Sequence, residues 1–199
     1  MTTFVKICGL RDTADVAAAV DAGANAVGFV FAESIRRVTP RQAQMAIRDM
    51  PGDVHRVAVM RHPTSEECRA VLEEFEADIV QTDVQDFSGL ELPGHVARWP
   101  VLREGSADPG AALPEVFVYE GTNSGAGQPV DWEQASRFAL RGRMILAGGL
   151  RPGNVPAAVR AVRPWGVDVS SGVERQPGRK DHDLIRQFVS AVRAVEREL

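Results

Sequence analysis

The sequence has little that would mark a membrane, secreted or nucleic-acid-binding protein. No apolar run reaches the roughly 18 residues that cross a bilayer. The first residues, which include Lys6 and Arg11, lack the apolar stretch of a signal peptide. Basic and acidic residues nearly balance, at 23 and 27, so the chain has no basic footprint for nucleic acid. We therefore expect a cytoplasmic protein that binds neither membranes nor nucleic acid.

Cysteine and histidine are also scarce. The two cysteines, Cys8 and Cys68, are too few for a disulfide framework and fit a reducing compartment. Neither lies in a metal-type cluster, and the histidines have no metal-ligand spacing. We expect a protein without a bound metal ion or cofactor.

What is present is a regular alternation of two patterns. Short β-branched runs that predict strands lie at residues 4–8, 26–31, 55–60, 77–81, 100–103, 115–120, 143–148 and 166–171. Stretches with helical apolar spacing lie at residues 13–24, 39–50, 64–75, 131–140, 154–163 and 181–199. The first three begin near a threonine that can cap a helix. The alternation is typical of βα units around a parallel sheet.

The number of units favours one of two folds. About eight strands in 199 residues fit a (β/α)8 TIM barrel, for which about 200 residues is the lower limit. A flavodoxin-like doubly wound sheet needs only about five strands and leaves several runs unexplained. We predict a single-domain (β/α)8 TIM barrel over residues 1–199. Its fourth and fifth connecting helices should be short or irregular, because Pro and Gly are frequent between Asp86 and Gly110.

Cys8 closes the first predicted strand, at the barrel end where active sites lie. Because side chains alternate along a strand, Cys8 and Lys6 should share one face, and Val5 and Ile7 the other. A cysteine there is either a small buried hydrophobe or, beside positive charge, a reactive thiol. The residues alone leave both interpretations open.

Two stretches rich in Gly and Ser follow the last two predicted strands, LAGGLRPGNV at 146–155 and GVDVSSGVE at 166–174. Glycine lets the backbone approach a ligand closely, and free N–H groups at a helix start attract an anion. Loops after strands 7 and 8 of a barrel often bind phosphate, whereas simple tight turns are the alternative. Because the two stretches would be neighbours, we predict a phosphate site.

These motifs resemble those of the phosphoribosylanthranilate isomerase family of tryptophan biosynthesis. The matching segments follow the family order over nearly the whole chain: KICGL (6–10), GFVFAESIRRVTPRQA (28–43), VDW (130–132), LAGGLRPGNV, GVDVSSGVE and PGRKD (177–181). The resemblance implies an Amadori rearrangement, in which the ribosyl ring of N-(5-phosphoribosyl)anthranilate opens and isomerises to an aminodeoxyribulose phosphate. It implies neither metal nor cofactor.

The resemblance also implies a base and an acid. Cys8 matches the general base that removes the sugar C2 proton, and an acid at the end of strand 6 protonates the ring oxygen. We expect the thiol pKa to be lowered from about 8.5 towards neutrality and the carboxylic acid pKa to be raised.

The acid position is where the sequence departs from the family. In VFVYEGTNSGAGQPVDW, Glu120 replaces the family's Asp and Ser124 its first loop glycine. The longer Glu reaches further, and a displacement of about 1 Å can lower a rate about a hundredfold. Asp131 is the alternative acid, but its position predicts a helix N-cap, with Gln134 reaching back in a capping box.

Further roles follow from the resemblance. Arg36 matches the arginine that holds the anthranilate carboxylate, for which a guanidinium fork is suited. Gln81 and Asp168 are expected to face the substrate, and Asp83 replaces the family's His in Gln-Leu-His-Gly, which changes a pocket wall. The phosphate would be bound by backbone N–H groups of Gly148, Gly149, Ser171 and Gly172 and by the hydroxyl of Ser170.

Lysine is nearly absent, since only Lys6 and Lys180 of the 23 basic residues are lysines. Both lie inside matched motifs, which indicates that the compact ammonium is needed there. Strands 1 and 8 are neighbours in a closed barrel, so we expect Lys6 and Asp168 to form an internal ion pair. Coincidence is the competing explanation.

Three functions remain open on the sequence. The leading one is the isomerase, as a monomer or homodimer that binds a small phosphosugar. The second is a divergent barrel that acts on another aminophosphoribosyl compound, as the changes at Asp83 and Glu120 would suggest. The third is a phosphosugar-binding barrel that has lost its acid.

Overall fold

Eight parallel strands close into a barrel in the computed structural model, which describes residues 2–106, 108, 110, 113–122 and 130–198. Each strand pairs with the next along the chain, and β1 pairs with β8. The strands are β1 (Phe4–Cys8), β2 (Ala26–Val30), β3 (His55–Val59), β4 (Ile79–Asp83), β5 (Ala97–Arg103), β6 (Val116–Glu120), β7 (Arg143–Leu146) and β8 (Gly166–Val169). The predicted (β/α)8 barrel is confirmed.

Six α-helices of the described residues surround the barrel. They are α1 (Thr13–Asp21), α2 (Pro40–Ala46), α3 (Ser65–Glu74), α4 (Trp132–Ala139), α5 (Val155–Val162) and α6 (His182–Glu196). A short hairpin of β9 (Glu174–Gln176) and β10 (Arg179–Lys180) precedes α6. Between β4 and β5 the described residues form a 3-10 turn, Val84–Ser88, and no α-helix, and those between β5 and β6 contain no α-helix either. Both weak connections lie where Pro and Gly predicted them. No helix among the described residues has the length and apolar character to cross a bilayer.

Local capping explains where the helices begin. Thr39 and Thr64 cap α2 and α3, each in a full capping box with the side chain three residues on. The expectation of a threonine cap is wrong for α1, because Asp12 accepts a hydrogen bond from Asp15 N and so displaces the cap by one residue.

Two apolar cores result from the alternation of side chains along the strands. Outward residues such as Val5 and Ile7 pack beneath the helices. Inward residues fill the barrel itself, with a second cluster of Ala26, Val57, Ile79, Trp99, Val101, Val118, Ile145 and Ala147. At the N-terminal end, Phe4 stacks on Trp165 with ring centroids 4.7 Å apart and meets Trp99 edge-on at 5.6 Å. This aromatic floor closes one end, so the barrel opens at the C-terminal ends of its strands.

Candidate active site

A cavity of about 160 Å³ occupies this C-terminal mouth. Nine of the ten predicted site residues line it: Cys8, Arg36, Gln81, Glu120, Gly148, Gly149, Asp168, Ser170 and Ser171. Gly172 is the exception. A β-carbon at Gly172 would lie 1.8 Å from the carbonyl oxygen of Leu150, so this glycine lets the loops after β7 and β8 pack together.

Lys6 and Cys8 share the inward face of β1, as the alternation predicts. Lys6 is fully buried, and its Nζ donates a 2.7 Å hydrogen bond to Asp168 Oδ2 across the β1–β8 pair. The predicted ion pair is therefore confirmed. On the other side, Gly28 lies opposite Cys8 on β2, where a β-carbon would be 3.0 Å from both Cys8 Sγ and Lys6 Cε. The absence of a side chain at Gly28 makes room for the thiol and the lysine.

Gly9 lets the chain turn at the end of β1. Its φ of +73° lies in the region that favours glycine. A β-carbon there would also lie 2.7 Å from Arg36 Cδ and 2.9 Å from Ser170 Oγ. The glycine after Cys8 thus allows two of the predicted binding residues to approach β1.

The Cys8 thiol has its pKa raised, which contradicts the expectation of a lowered one. Burial is the main cause, because an apolar surrounding disfavours the thiolate, and the charge of Asp168 acts in the same direction. Lys6 and Lys180 oppose the shift but do not overcome it. The raised pKa therefore favours the neutral thiol of Cys8 over the thiolate.

Lys6 remains charged despite its burial. Burial alone would lower the pKa of Lys6, but Asp168, helped by Cys8, outweighs it and raises the pKa above the ordinary value. The charge of Lys6 is thus matched by Asp168 and is present beside Cys8 throughout the neutral range.

Glu120 lies at the inward-facing end of β6, with its side chain 15% exposed. Arg103, at the end of β5, donates from Nη1 to Glu120 Oε2 at 3.2 Å. The same guanidinium donates to Asp83 Oδ1 at the end of β4, at 2.8 Å from Nε. Neither Arg103 nor this link was predicted, because the sequence alone does not reveal the cross-strand contact. The loop glycine position assigned to Ser124 lies outside the described residues.

Asp131 is the N-cap of α4, as predicted. Its Oδ1 accepts hydrogen bonds from Glu133 N at 2.8 Å and Gln134 N at 3.3 Å. The predicted capping box is wrong, because Gln134 Oε1 instead accepts a hydrogen bond from the Tyr119 hydroxyl at 2.9 Å. The Asp131 carboxylate therefore has a structural role, and it does not line the cavity.

Arg36 is held by a carboxylate that sequence reasoning missed. Arg36 donates to Glu174 from Nε at 2.6 Å and from Nη2 at 2.9 Å. Lys180 Nζ donates to the same Glu174 at 2.9 Å and to Ser170 O at 2.9 Å. Glu174 ends the motif GVDVSSGVE, so its place in a matched segment was the available signal. A guanidinium has five donors, so the pairing leaves donors for a ligand.

Glu174 is ionised over a wide pH range. Burial would raise its pKa, but hydrogen bonds from Arg36 and the charge of Lys180 prevail and lower the pKa from 4.5 to about 2. Burial lowers the pKa of Lys180, against the pull of Glu174.

Two buried oxygens of the cavity lack a hydrogen-bond donor among the described residues. They are Gln81 Oε1 and Asp168 Oδ1, and the two residues are 5% and 7% exposed. Buried acceptors are nearly always satisfied. Both atoms are therefore suited to accept hydrogen bonds from hydroxyl or N–H groups of a ligand.

The loops after β7 and β8 offer donors for an anion. Gly148 and Gly149 have φ values of +92° and +63°, and no described residue accepts a hydrogen bond from either backbone N–H. Asn154 fixes this loop, since its Nδ2 donates to Gly149 O at 2.9 Å at the start of α5. Ser170 and Ser171 face the same space from the β8 side.

A hydrogen-bonded cluster lies at the end of β4. Ligand-type atoms of His62, Asp83 and Asp86 all lie within 4.8 Å of one another. Sequence spacing gave no sign of this trio, because His62 comes from the loop after β3. His62 Nδ1 lies 3.0 Å from Asp86 Oδ1, and Asp83 is already bound by Arg103.

A larger groove, of about 730 Å³, lies outside the barrel against α1, α2 and the start of α6. Some of its charged groups pair with one another. His182 Nε2 lies 3.0 Å from Asp15 Oδ1, and Asp181 caps α6 through Asp183 N. The barrel mouth, where two buried acceptors have no donor among the described residues, is the better candidate for a site.

Comparison with known proteins matches the chain to one enzyme family over nearly its whole length. The family model described as N-(5′-phosphoribosyl)anthranilate (PRA) isomerase matches residues 5–191. A curated relative of that name from Listeria monocytogenes serotype 4b is 36% identical over 214 aligned positions, covering 97% of this chain and 100% of the relative.

Solved structures agree. The crystal structure of phosphoribosyl anthranilate isomerase from Thermotoga maritima has a TM-score of 0.86 at 30% identity, covering 97% of this chain and 100% of that one. A structure of such an isomerase in complex with reduced 1-(o-carboxyphenylamino)-1-deoxyribulose 5-phosphate has a TM-score of 0.79 at 28% identity, with the same coverage of both chains.

Proposed function

The chain belongs to the N-(5′-phosphoribosyl)anthranilate isomerase family and catalyses that isomerisation, and we propose that Cys8 is its general base and Glu120 its general acid. One observation carries the assignment. Cys8 from β1 and Glu120 from β6 project into one cavity from strands that are not neighbours. The reaction gives one proton to the sugar and removes another from it, which requires an acid and a base at separate positions around one pocket.

The reaction divides into two proton transfers. Glu120, in its protonated form, gives a proton to the ribosyl ring oxygen while the bond from that oxygen to C1 breaks and the anilino nitrogen, which keeps its hydrogen, forms a protonated imine with C1. The Cys8 thiolate then removes the C2 proton, and the resulting enolamine becomes the aminoketose. Because burial raises the pKa of the thiol, Cys8 must lose its proton after the substrate binds or react from a minor thiolate population.

Binding of the substrate uses the remaining cavity residues. The donors of Arg36 that Glu174 does not engage would hold the anthranilate carboxylate. The unpaired oxygens of Gln81 and Asp168 would accept hydrogen bonds from ligand hydroxyl or N–H groups. The sugar phosphate would lie on the free N–H groups of Gly148 and Gly149, beside Ser170 and Ser171. Gly172 supports this site through its packing on the loop after β7.

The proposal extends to the whole chain. Residues 1–199 would form a single domain, a proposal supported by the hydrogen bond from Thr3 N to Glu196 Oε1 at 2.5 Å, which ties the first segment to the last helix. We place the enzyme in the cytoplasm on the support of its two free thiols, Cys8 and Cys68. A monomer or a homodimer is the proposed assembly.

Turnover of phosphoribosylanthranilate, generated in situ and followed by the loss of its fluorescence, tests the assignment. We expect Cys8→Ala and Glu120→Ala each to lower kcat at least about a hundredfold. The controls Cys68→Ala, at a buried cysteine away from the cavity, and Glu133→Ala, on an exposed face of α4, should stay near wild type. Full activity in either Cys8→Ala or Glu120→Ala would overturn the role of that residue.

The same protein tests the other two functions. Turnover of the related aminoimidazole compound in place of phosphoribosylanthranilate would indicate a divergent specificity. Binding of the reduced product analogue by a folded protein with no turnover of either compound would indicate a binding barrel that has lost its chemistry.

A further inference from the structure

We propose that Arg103 is a positioning residue that, anchored on Asp83, holds the Glu120 carboxylate at the cavity. The proposal rests on the proposed acid role of Glu120. Nothing in the resemblance assigns a role to Arg103.

Strand register brings the three side chains together. Arg103 pairs with Glu120 across β5 and β6, and Asp83 pairs with Val101 across β4 and β5. Val101 points into the barrel core, so Arg103, two residues later, also points inward. The three charged groups therefore lie side by side at the inner rim of three consecutive strands.

The contacts hold the guanidinium firmly on the Asp83 side. Nε and Nη2 of Arg103 both reach Asp83 Oδ1, at 2.8 Å and 2.7 Å, and the Asp83 side chain is only 5% exposed. A planar guanidinium that is held through two of its own nitrogens loses little further conformational freedom when a third nitrogen donates a hydrogen bond. Its third nitrogen, Nη1, then donates to Glu120 Oε2 at 3.2 Å. The geometry makes Asp83 the anchor and Glu120 the group that is oriented.

An anchored guanidinium compensates for the extra length of the Glu120 side chain. A glutamate has one more rotatable bond than the aspartate that the family pattern has there, so its carboxylate samples more positions. A hydrogen bond from a fixed donor selects one of them. The proximity of acid and substrate accounts for a large part of catalysis, and a misplacement of about 1 Å can lower a rate about a hundredfold.

The two residues that depart from the family pattern, Asp83 and Glu120, are linked through Arg103. Asp83 replaces the family's histidine and Glu120 its aspartate, and one guanidinium binds both carboxylates. Asp83 also balances the charge of Arg103, so the acid does not face an uncompensated cation. The two substitutions are then one structural feature, centred on Arg103.

A double-mutant cycle tests the proposal. We expect Arg103→Met to lower kcat at least about tenfold with KM within about threefold, because the substrate still binds while the acid is no longer held. In a Glu120→Ala background, Arg103→Met should cause no further loss, since a residue that acts only through Glu120 has nothing left to position. Arg98→Met changes an exposed arginine of the same strand and should leave both parameters unchanged.

Three outcomes would overturn the proposal: wild-type kcat in Arg103→Met, an equal further loss in the Glu120→Ala background, or a rise in KM with kcat unchanged. If Arg103→Met does not fold, Asp83→Asn keeps the guanidinium and removes the charge of its anchor, together with the charge that lies 3.4 Å from His62 Nε2, and the same cycle applies. Full activity of Glu120→Ala alone would instead refute the acid assignment of the proposed function, so the two failures are distinguishable.

Discussion

Lys6 and Asp168 face each other across β1 and β8, with Lys6 Nζ 2.7 Å from Asp168 Oδ2 inside the barrel. The lysine has no exposed surface, and a buried charge is tolerated only where a partner compensates it. The pair also leaves Asp168 Oδ1 without a hydrogen-bond donor among the described residues. A compact ammonium thus fixes the carboxylate through one of its two oxygens.

Lys6→Arg should destabilise the protein although it keeps the charge. Lys6 has no exposed surface and donates a 2.7 Å hydrogen bond to Asp168, so the bulkier guanidinium would have to displace packed neighbours. Overpacking a barrel interior typically lowers the free energy of unfolding by about 1–3 kcal/mol. Urea denaturation measures this loss, and turnover should fall with it. An unchanged midpoint and rate would mean that the choice of lysine is coincidental.

Gly28→Ala should impair catalysis more than stability. The added methyl group would stand 3.0 Å from Cys8 Sγ, so the thiol must shift by a few tenths of an ångström. Backbone strain does not contribute, because Gly28 has no positive φ. We expect kcat to fall roughly tenfold, since small displacements of a catalytic group are costly.

Gly52→Ala is the matched control for Gly28→Ala. No atom lies within 4 Å of its β-carbon position, so kcat should not change. Equal kcat values in the two variants would show that Gly28 does not control the position of the thiol.

The raised pKa of the Cys8 thiol predicts slow alkylation at neutral pH. The thiolate is the nucleophile, and a pKa above the ordinary value leaves only a small thiolate fraction at pH 7. In a Cys68→Ala background, the iodoacetamide rate should climb about tenfold per pH unit and still be rising at pH 9. A plateau at or below pH 8 would contradict the assigned direction of the shift.

Glu174→Gln should lower stability at neutral pH and much less in acid. The carboxyl pKa falls from 4.5 to about 2 on folding, so Glu174 stabilises the fold above pH 4.5 and loses that contribution as the pH falls towards 2. The difference between wild type and variant should be roughly 2–3 kcal/mol at pH 7 and about half of that at pH 3.

Urea denaturation of both proteins from pH 7 to pH 3 measures this difference. Glu133→Gln serves as the control, because the Glu133 side chain is 79% exposed and pairs only with Arg137 on the surface of α4. Its effect should be small at every pH. A Glu174→Gln effect that is constant across the range would exclude the carboxylate as the source.

The sequence by itself determined the barrel and the position of the site. Strand and helix periodicity are local properties, so the alternation predicted eight strands, and the Pro- and Gly-rich segment predicted two weak connections. Alternation along β1 placed Lys6 and Cys8 on the inward face. The family resemblance supplied Arg36, Gln81 and Glu120, and nine of the ten predicted residues line one cavity. The sequence-based prediction failed at the N-cap of α1, where Asp12 and Thr13 are adjacent and either side chain could cap the helix.

Only the tertiary structure decided what each of these side chains touches. Arg103 and Asp83 are 20 residues apart, and Arg36 and Glu174 are 138 apart, so no local pattern encodes either contact. The direction of the Cys8 pKa shift depends on how completely the closed barrel excludes water and on how Lys6, Asp168 and Lys180 divide the nearby charge. Burial and through-space charge are set by strand register and barrel closure. For that reason the sequence could predict which residue types form this site, but it could not predict their ion pairs or the directions of their pKa shifts.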